Sequence, residues 1–167
     1  MRKLLLLLLV SCTGSGPITA AGQSVYAPST ETMEFENRGG GFGQQPPQGP
    51  CDPQKSSFTL SVDSQHLAWT LCDVVDSQPP TTAVRASERD LTAAEWLALE
   101  PVLEGLVIDD TMQCGADKPI LALTVTTPDW TQEYGDAFYN CPNSDPAPRI
   151  KTEALDALQS AFEGLSN

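Results

Sequence analysis

The alternation of hydrophobic and polar residues predicts two β-hairpins in this chain. Strands with one buried face have an apolar residue at every second position. In the first hairpin these residues are Phe58, Leu60 and Val62, followed by Leu67, Trp69 and Leu71. In the second hairpin they are Leu121, Leu123 and Val125, followed by Tyr134 and Phe138. Turns are expected at residues 63–65 and 128–129, where polar residues and a proline interrupt the alternation.

Two further stretches have the spacing of an amphipathic helix, with apolar residues at i, i+3, i+7 and i+10. The first stripe is Trp96, Leu99, Leu103 and Leu106, and the second is Leu155, Leu158, Phe162 and Leu165. Thr92 precedes the first stripe and has Glu95 three residues later, which is a capping box. Pro101 lies within this helix and should kink or split it, because proline removes a helical hydrogen bond.

The order of a hairpin followed by a helix occurs twice. Cys51 and Cys114 are each followed by Lys four residues later, Leu nine residues later and Val eleven residues later. This agreement predicts an internal repeat of two ββα-like units, residues 51–113 and 114–167. Each hairpin has one apolar face and each helix has one apolar stripe, and all four surfaces must be covered. We therefore expect an α+β domain in which the hairpins share one antiparallel sheet with both helices on one face.

The repeat also predicts the disulfides. Each unit has one cysteine before its first strand and one at the end of its second strand, and a hairpin brings these two positions together. The expected bridges are Cys51–Cys72 and Cys114–Cys141. The sequence has no C-x-x-C pair and one histidine, so neither a metal site nor a cofactor is predicted.

Residues 1–12 have the features of an export signal. Arg2 and Lys3 precede an apolar run over residues 4–10, which is too short to cross a bilayer. The segment Leu9-Val10-Ser11-Cys12 resembles the lipobox of bacterial lipoproteins, and this resemblance implies a diacylglyceryl anchor with palmitate on Cys12. The expected location is then the extracytoplasmic side of a bacterial cell envelope, at the outer membrane in a Gram-negative cell. The alternative is ordinary cleavage after Ala21, which would release a soluble protein.

Residues 13–50 are rich in Gly, Pro, Ser and Gln and are typical of a flexible tether. Within this stretch the alternation around Met33 and Phe35 predicts an edge strand over residues 32–37. The following glycine run lacks the Gly-Lys-Ser/Thr ending of a phosphate loop and is predicted to be a turn. The remaining residues, 51–167, form the expected domain.

The net charge is −13, and it becomes −15 without the two cations of the export signal. Such an excess of acid repels phosphate groups, which argues against nucleic acid and anionic lipid as partners. It suits a soluble domain outside the cytoplasm. The membrane is then contacted through the lipid on Cys12, and an extracytoplasmic protein is the expected further partner.

No catalytic constellation is found in the sequence. His66 begins a strand and should lie on the face opposite to Leu67, towards water. No serine or cysteine motif that would supply a nucleophile accompanies it. We therefore expect no enzyme activity; a hydrolase with an unrecognised site ranks last. Trp130 lies in a predicted turn, where an exposed indole often anchors a partner. With Lys118, at the opposite end of the same strand, and the adjacent Ala116 and Asp117, it is the predicted partner-binding site; a packing role for Trp130 is the alternative.

Two inhibitor families share features with this sequence. Cys114, a short loop, Pro119 and the strand around Leu123-Thr124-Val125 resemble small secreted protease inhibitors of the subtilisin-inhibitor type, which places an exposed loop at residues 115–118. The element order is similar to emfourin-type metallopeptidase inhibitors, with a glycine-rich turn after a first strand, a helix opened by residues 91–95, a hairpin and a helix. Both imply a non-enzymatic binding module, with protease inhibition as one specific form. The alternative is a structural or envelope-stress lipoprotein without a discrete ligand.

Overall fold

The computed structural model describes residues 16–40, 50–77, 80–111, 113–115, 117–142 and 147–167. Seven strands form one sheet, which is accompanied by two helices. The elements are β1 Thr32–Arg38, β2 Lys55–Ser61, β3 His66–Ser77, β4 Pro80–Asp90, α1 Ala93–Glu104, β5 Leu121–Thr126, β6 Thr131–Asp136, β7 Arg149–Ile150 and α2 Thr152–Leu165. The α+β class predicted from the sequence is confirmed.

The strand order is β4-β3-β2-β1-β5-β6-β7, and every neighbouring pair is antiparallel except β6 and β7. β1 therefore lies in the middle of the sheet, where Met33 is opposite both Leu60 of β2 and Val125 of β5. The sequence correctly predicted a strand over residues 32–37, but its assignment as an edge strand is wrong. The alternation of side chains shows only which face is buried, whereas an edge is defined by backbone partners far away in the chain.

The hydrophobic core lies between one face of the sheet and the two helices. Alternate residues of the central strands point to this side, and the ring of Phe162 from α2 packs against Phe35 and Phe58 with centroid distances of 6.3 and 5.3 Å. Leu99 and Leu103 of α1 are buried in the same core. The opposite face, which we call the open face, carries small and charged side chains and is not covered by a helix. Antiparallel sheets commonly have one such solvated face.

Residues 16–31, which we call the N-terminal strap, are part of the fold. The Val25 amide donates to the Leu106 carbonyl at 2.8 Å, and the Gly22 amide donates to the Ile108 carbonyl at 2.9 Å. Val25 is fully buried, and Ile18 packs against the core. The predicted tether over residues 13–50 is therefore wrong for the strap and for β1. These contacts use backbone groups and isolated side chains, which leave no periodic pattern in the sequence.

Helix α1 begins as the sequence predicted. The Glu95 amide donates to the Thr92 hydroxyl at 3.3 Å, and the Thr92 amide donates to the Glu95 carboxylate at 2.8 Å, which completes the capping box. Pro101 does not split the helix, which continues to Glu104. Proline near a helix C-terminus leaves one backbone acceptor without its usual donor, and the remaining turn is short enough to tolerate this.

The two predicted ββα units occur as hairpins β2–β3 and β5–β6, each followed later by a helix. Each unit has an additional strand, β4 or β7, before its helix. β2 and β5 run in the same direction, yet β3 and β6 lie on opposite outer sides of them. The two hairpins are thus arranged as mirror images about β1. No rotation that keeps both helices on one face can superimpose them, so the detail of two repeated units is not confirmed.

Candidate functional site

Both predicted disulfides are present. Cys51 is bonded to Cys72 with a Cα–Cα distance of 5.7 Å, and Cys114 is bonded to Cys141 with a distance of 4.5 Å. Each bridge joins a residue before the first strand of a hairpin to one on its return side. Cys141 follows β6, but Cys72 lies within β3, which continues to Ser77, so its predicted position at the end of the strand is wrong. Every cysteine that the structure describes is oxidised, so this part of the chain contains no thiol nucleophile. Cys12 and the remainder of the export signal lie outside the described residues.

The single histidine lies on the open face of the sheet, on the side of its strand that the sequence predicted. His66 Nδ1 is 2.7 Å from a carboxylate oxygen of Asp90, and its Nε2 is 3.6 Å from Glu88. The hydrogen bond to Asp90 raises the pKa of His66, with a smaller contribution from Glu88. Among the described residues, no group of three or more His, Cys, Asp or Glu is placed to hold a metal ion. The contacts of His66 with Asp90 and Glu88 join β3 to β4.

Trp130 is half-buried and packs against the hydrophobic core. It closes the turn between β5 and β6, where the Thr127 amide donates to the Trp130 carbonyl at 2.9 Å and the Trp130 amide donates to the Thr127 hydroxyl at 3.2 Å. This geometry favours the packing role that the sequence left as an alternative. Both the backbone of Trp130, through these hydrogen bonds, and its side chain, through packing, take part in the fold.

Lys118 is fixed at the opposite end of β5. Its carbonyl accepts a hydrogen bond from the Tyr139 hydroxyl, and its Nζ lies 3.4 Å from Asp156 and 5.4 Å from the centroid of the Phe138 ring. Asp117 is exposed, and Ala116 lies outside the described residues. Because Lys118 and Trp130 lie at the two ends of an interior strand, the structure does not bring the predicted partner-binding residues together.

Gly115 explains how the Cys114 loop is held. Its amide donates to the Phe138 carbonyl at 2.9 Å, and the Phe138 ring occupies the space that a Cβ at position 115 would need. Glycine is therefore required there for the backbone to approach the aromatic ring. Gly115 is thus held between the Cys114–Cys141 disulfide and Phe138.

A second candidate surface was not recognised from the sequence. β3 and β4 pair along their whole length, but β2 pairs with β3 only as far as Thr70. Residues 72–77 and 80–84 therefore project beyond the core as a two-stranded ribbon, which we call the arm. Val74, Val75 and Val84 of the arm have exposed fractions of 54, 63 and 52%. The sequence interpretation missed this surface because residues 78–80 were interpreted as breaking the strand, whereas β3 continues to Ser77 and β4 begins at Pro80 and pairs with it.

The base of the arm is held on both faces of the sheet. On the open face, the disulfide links Cys72 to Cys51, and the Thr82 hydroxyl donates to the Cys51 carbonyl at 2.9 Å. On the helix face, Arg85 donates to Asp73 at 2.9 Å and to the Ser166 carbonyl at the end of α2 at 3.2 Å. The base of the arm is therefore held in place, although the arm has no core of its own.

The sheet also has a long free edge. Among the described residues, no strand lies on the outer side of β4, which is 11 residues long. At the other edge, β7 has two residues, and Ile150 already bridges to Ile108. Long strand edges can pair with a strand from another chain unless charges, proline or bulges prevent it. β4 has the charged residues Glu88, Arg89 and Asp90 near the body of the domain and Arg85 at the base of the arm. Between Pro80, where the strand begins, and Arg85, the edge carries no charge and no proline.

An open cleft of about 570 Å³ lies between the end of α2 and the neighbouring strands. Its lining includes Asn37, Lys55, Leu71, Arg85 and Glu163. Arg85 is already paired with Asp73. Two serines, Ser56 and Ser166, also line the cleft, and the described lining has no histidine that could act as their base.

Comparison with known proteins gave no relative: no protein-family model, curated protein or solved structure matches this chain. Neither α1 nor α2, the helices of the described residues, is long and apolar enough to cross a membrane.

Proposed function

We propose that this protein is a non-enzymatic binding module, anchored at a bacterial envelope by a lipid on Cys12, and that the arm docks its protein partner. The observation that carries the docking role is the exposure of Val74, Val75 and Val84 on a ribbon with a fixed base. The two disulfides support an extracytoplasmic location, since such bonds persist in oxidising compartments.

The partner contributes an extended strand that pairs with β4. An exposed strand edge offers main-chain donors and acceptors, and alternate side chains add specificity. Val74 and Val84 lie on the open face of the arm, because Val74 is opposite Thr82 and Cys72 is opposite Val84. Apolar side chains of the added strand would cover these two valines. A two-stranded ribbon is marginally stable by itself, so a third strand would also order the arm.

The docking role is tested with a photo-crosslinking amino acid at Val84 in cells that contain the full chain. The matched control places the same amino acid at Thr131, which is exposed in β6, away from the arm. We expect a product of discrete mass from position 84 and none from position 131. Equal products at both positions, or none at position 84, would refute the arm as the docking element. A lipidated protein without any product from the arm would favour a structural lipoprotein.

The anchor is tested independently. Cys12→Ala should abolish incorporation of labelled palmitate and partitioning into membranes, while the circular dichroism of the domain stays unchanged. A mature wild-type protein that starts at Gly22 and carries no lipid would establish cleavage after Ala21 and refute the anchor. This start would also remove residues 16–21 of the strap, including Ile18, which packs against the core.

Protease inhibition is a specific form of this binding role. The observation that favours it is the attachment of both ends of the segment after Cys114, where Gly115 and Lys118 are each hydrogen-bonded to residues 138–139. Inhibitory loops need such preorganisation, because ordering a loop on binding reduces affinity. Titration of subtilisin and of thermolysin should reduce one of the two activities stoichiometrically. If both proteases keep full activity at a large molar excess of this protein, inhibition of these two classes is refuted.

A further inference from the structure

Helix α1 has two apolar sides. Leu99 and Leu103 point into the core. The opposite side, which we call the outer face of α1, exposes Ala94, Leu97, Ala98 and Pro101 at positions i, i+3, i+4 and i+7. Leu97 has an exposed fraction of 69%, the highest among the exposed large hydrophobic residues of the described chain. Surface helices of soluble proteins normally present polar residues there, so this face indicates contact with an apolar surface.

The acidic residues of α1 lie beside the outer face. Glu95 is bound to Arg89. Glu100 and Glu104 lie near Tyr26 of the strap, since burial and then these two charges raise the pKa of Tyr26. Pairing of two copies through the outer face would bring these acidic margins together and is disfavoured. The surface that covers this face must therefore be apolar and must not be anionic.

The short stretch of chain between Cys12 and the folded domain indicates which apolar surface covers the outer face of α1. Ile18, which packs against the core, is six residues after Cys12. Six residues span at most about 20 Å when fully extended. A lipid on Cys12 would thus keep the folded domain at the membrane, unlike the long flexible tether that the sequence predicted.

The strap also determines which side of the domain is turned to the membrane. The Ile18 backbone lies next to the hydroxyl of Tyr134. Burial raises the pKa of Tyr134 to about 12, and the nearby Ile18 backbone has a smaller, lowering effect. Tyr134 is opposite Leu123 and points to the helix face of the sheet. Val25 is bonded to Leu106, directly after α1. The strap therefore runs in the helix layer, from Tyr134 of β6 at Ile18 to the end of α1 at Val25.

We propose that the outer face of α1 rests on the lipid surface, with Leu97 and Pro101 in the interfacial region of a zwitterionic bilayer. This inference rests on the proposed anchor at Cys12. Leu97 alone would not hold a protein on a membrane, but the anchor keeps it within reach and makes the contact effectively intramolecular. The open face and the arm are then presented away from the lipid or laterally, where an envelope protein can reach them.

The test uses the full, lipidated chain in phosphatidylcholine vesicles whose acyl chains carry bromine, which quenches nearby indoles. Leu97→Trp adds a probe on the outer face, and Thr131→Trp is the matched control on the open face. Trp69, Trp96 and Trp130 are common to both variants and cancel in the comparison. We expect the fluorescence added at position 97 to be quenched several-fold more than that added at position 131. Vesicles rich in phosphatidylglycerol should quench position 97 less, because of the acids beside it.

Mass spectrometry of the same samples shows whether Cys12 carries a lipid, which separates failure of the proposed anchor from failure of the proposed orientation. Equal quenching of the two probes, or stronger quenching at position 131, in protein that carries the lipid would overturn the orientation and leave the anchor intact. Protein without lipid on Cys12 would overturn both. Leu97→Glu provides a second check: the lipidated variant should keep its circular dichroism and become several-fold more sensitive to proteolysis in α1, because its outer face leaves the bilayer. Unchanged sensitivity would contradict the contact.

Discussion

Arg89 donates through Nη2 to the Leu165 carbonyl at 2.9 Å, at the C-terminal end of α2. The same guanidinium makes two hydrogen bonds to Glu95, at 3.0 and 2.8 Å, in the first turn of α1. A cation at a helix C-terminus is favourable because it offsets the partial negative charge of the last carbonyl groups. One side chain of β4 thus joins the end of one helix to the start of the other.

Arg89→Gln should lower the free energy of unfolding by about 1–2 kcal/mol, because the Leu165 carbonyl and the Glu95 carboxylate lose their shared donor. Urea denaturation followed by circular dichroism measures this. Arg38→Gln is the matched control: Arg38 binds Glu36 and Glu133, which are about half exposed, and such pairs contribute less than about 1 kcal/mol. Equal losses in the two variants would show that the helix ends do not depend on Arg89.

The same contact predicts a pH dependence. The Arg89 hydrogen bonds, followed by those from Thr92, lower the pKa of Glu95 from 4.5 to about 2. Because the folded-state pKa is the lower one, this contribution is complete above pH 4.5 and is lost as the pH falls towards 2. The urea midpoints of wild type and Glu95→Gln should therefore converge over this range. A difference between the midpoints that stays constant with pH would contradict the assignment.

The strap offers a test of its structural role. Val25→Ala should destabilise the fold by about 2 kcal/mol, because it removes two buried methyl groups from a fully enclosed site. Val84→Ala on the arm makes the same chemical change at a half-exposed site and should cost less than about 0.5 kcal/mol. Thermal and urea unfolding of the pair give both values. A Val25→Ala variant as stable as wild type would contradict this structural role and support the flexible tether predicted from the sequence.

Removal of the two disulfides should have different consequences. The bridges close loops with sequence separations of 21 and 27, and each is worth about 3 kcal/mol in the chain-entropy model. Replacing Cys51 and Cys72 with Ser should also release the base of the arm and open a cleavage site within residues 73–84 in limited proteolysis. Replacing Cys114 and Cys141 should leave the arm resistant. Cleavage of the arm in both variants would mean that Cys51–Cys72 does not hold it.

The sequence predicted those strands and helices whose buried face follows from the spacing of their own residues. The alternation of Phe58 and Leu60, the capping box of Thr92 and the stripe of Leu155 and Leu158 all occur in the structure as predicted. These features depend on neighbours within a few residues. The disulfides were predictable for the same reason, since a hairpin returns the chain to its own start.

The remaining features depend on partners that are distant in the sequence. β1 is central because β2 and β5 both pair with it, and no property of Met33 or Phe35 alone contains this information. The strap is ordered mainly by backbone bonds such as that between Val25 and Leu106, which are independent of side-chain type. The arm escaped prediction because the length of a hairpin beyond its sheet depends on where the neighbouring strand β2 begins, and not on β3 or β4.

The central position of β1 has a consequence for the route by which the chain acquires its structure. β1 can pair with β2 early, because the two are close in sequence, but its other edge must wait for β5, where Thr32 meets Thr126. Contacts between distant segments form slowly. A nascent chain would thus carry Met33 and Phe35 on an unpaired strand edge until its C-terminal half arrives. Aggregation before β5 completes the sheet is accordingly the point at which production of this protein is most vulnerable.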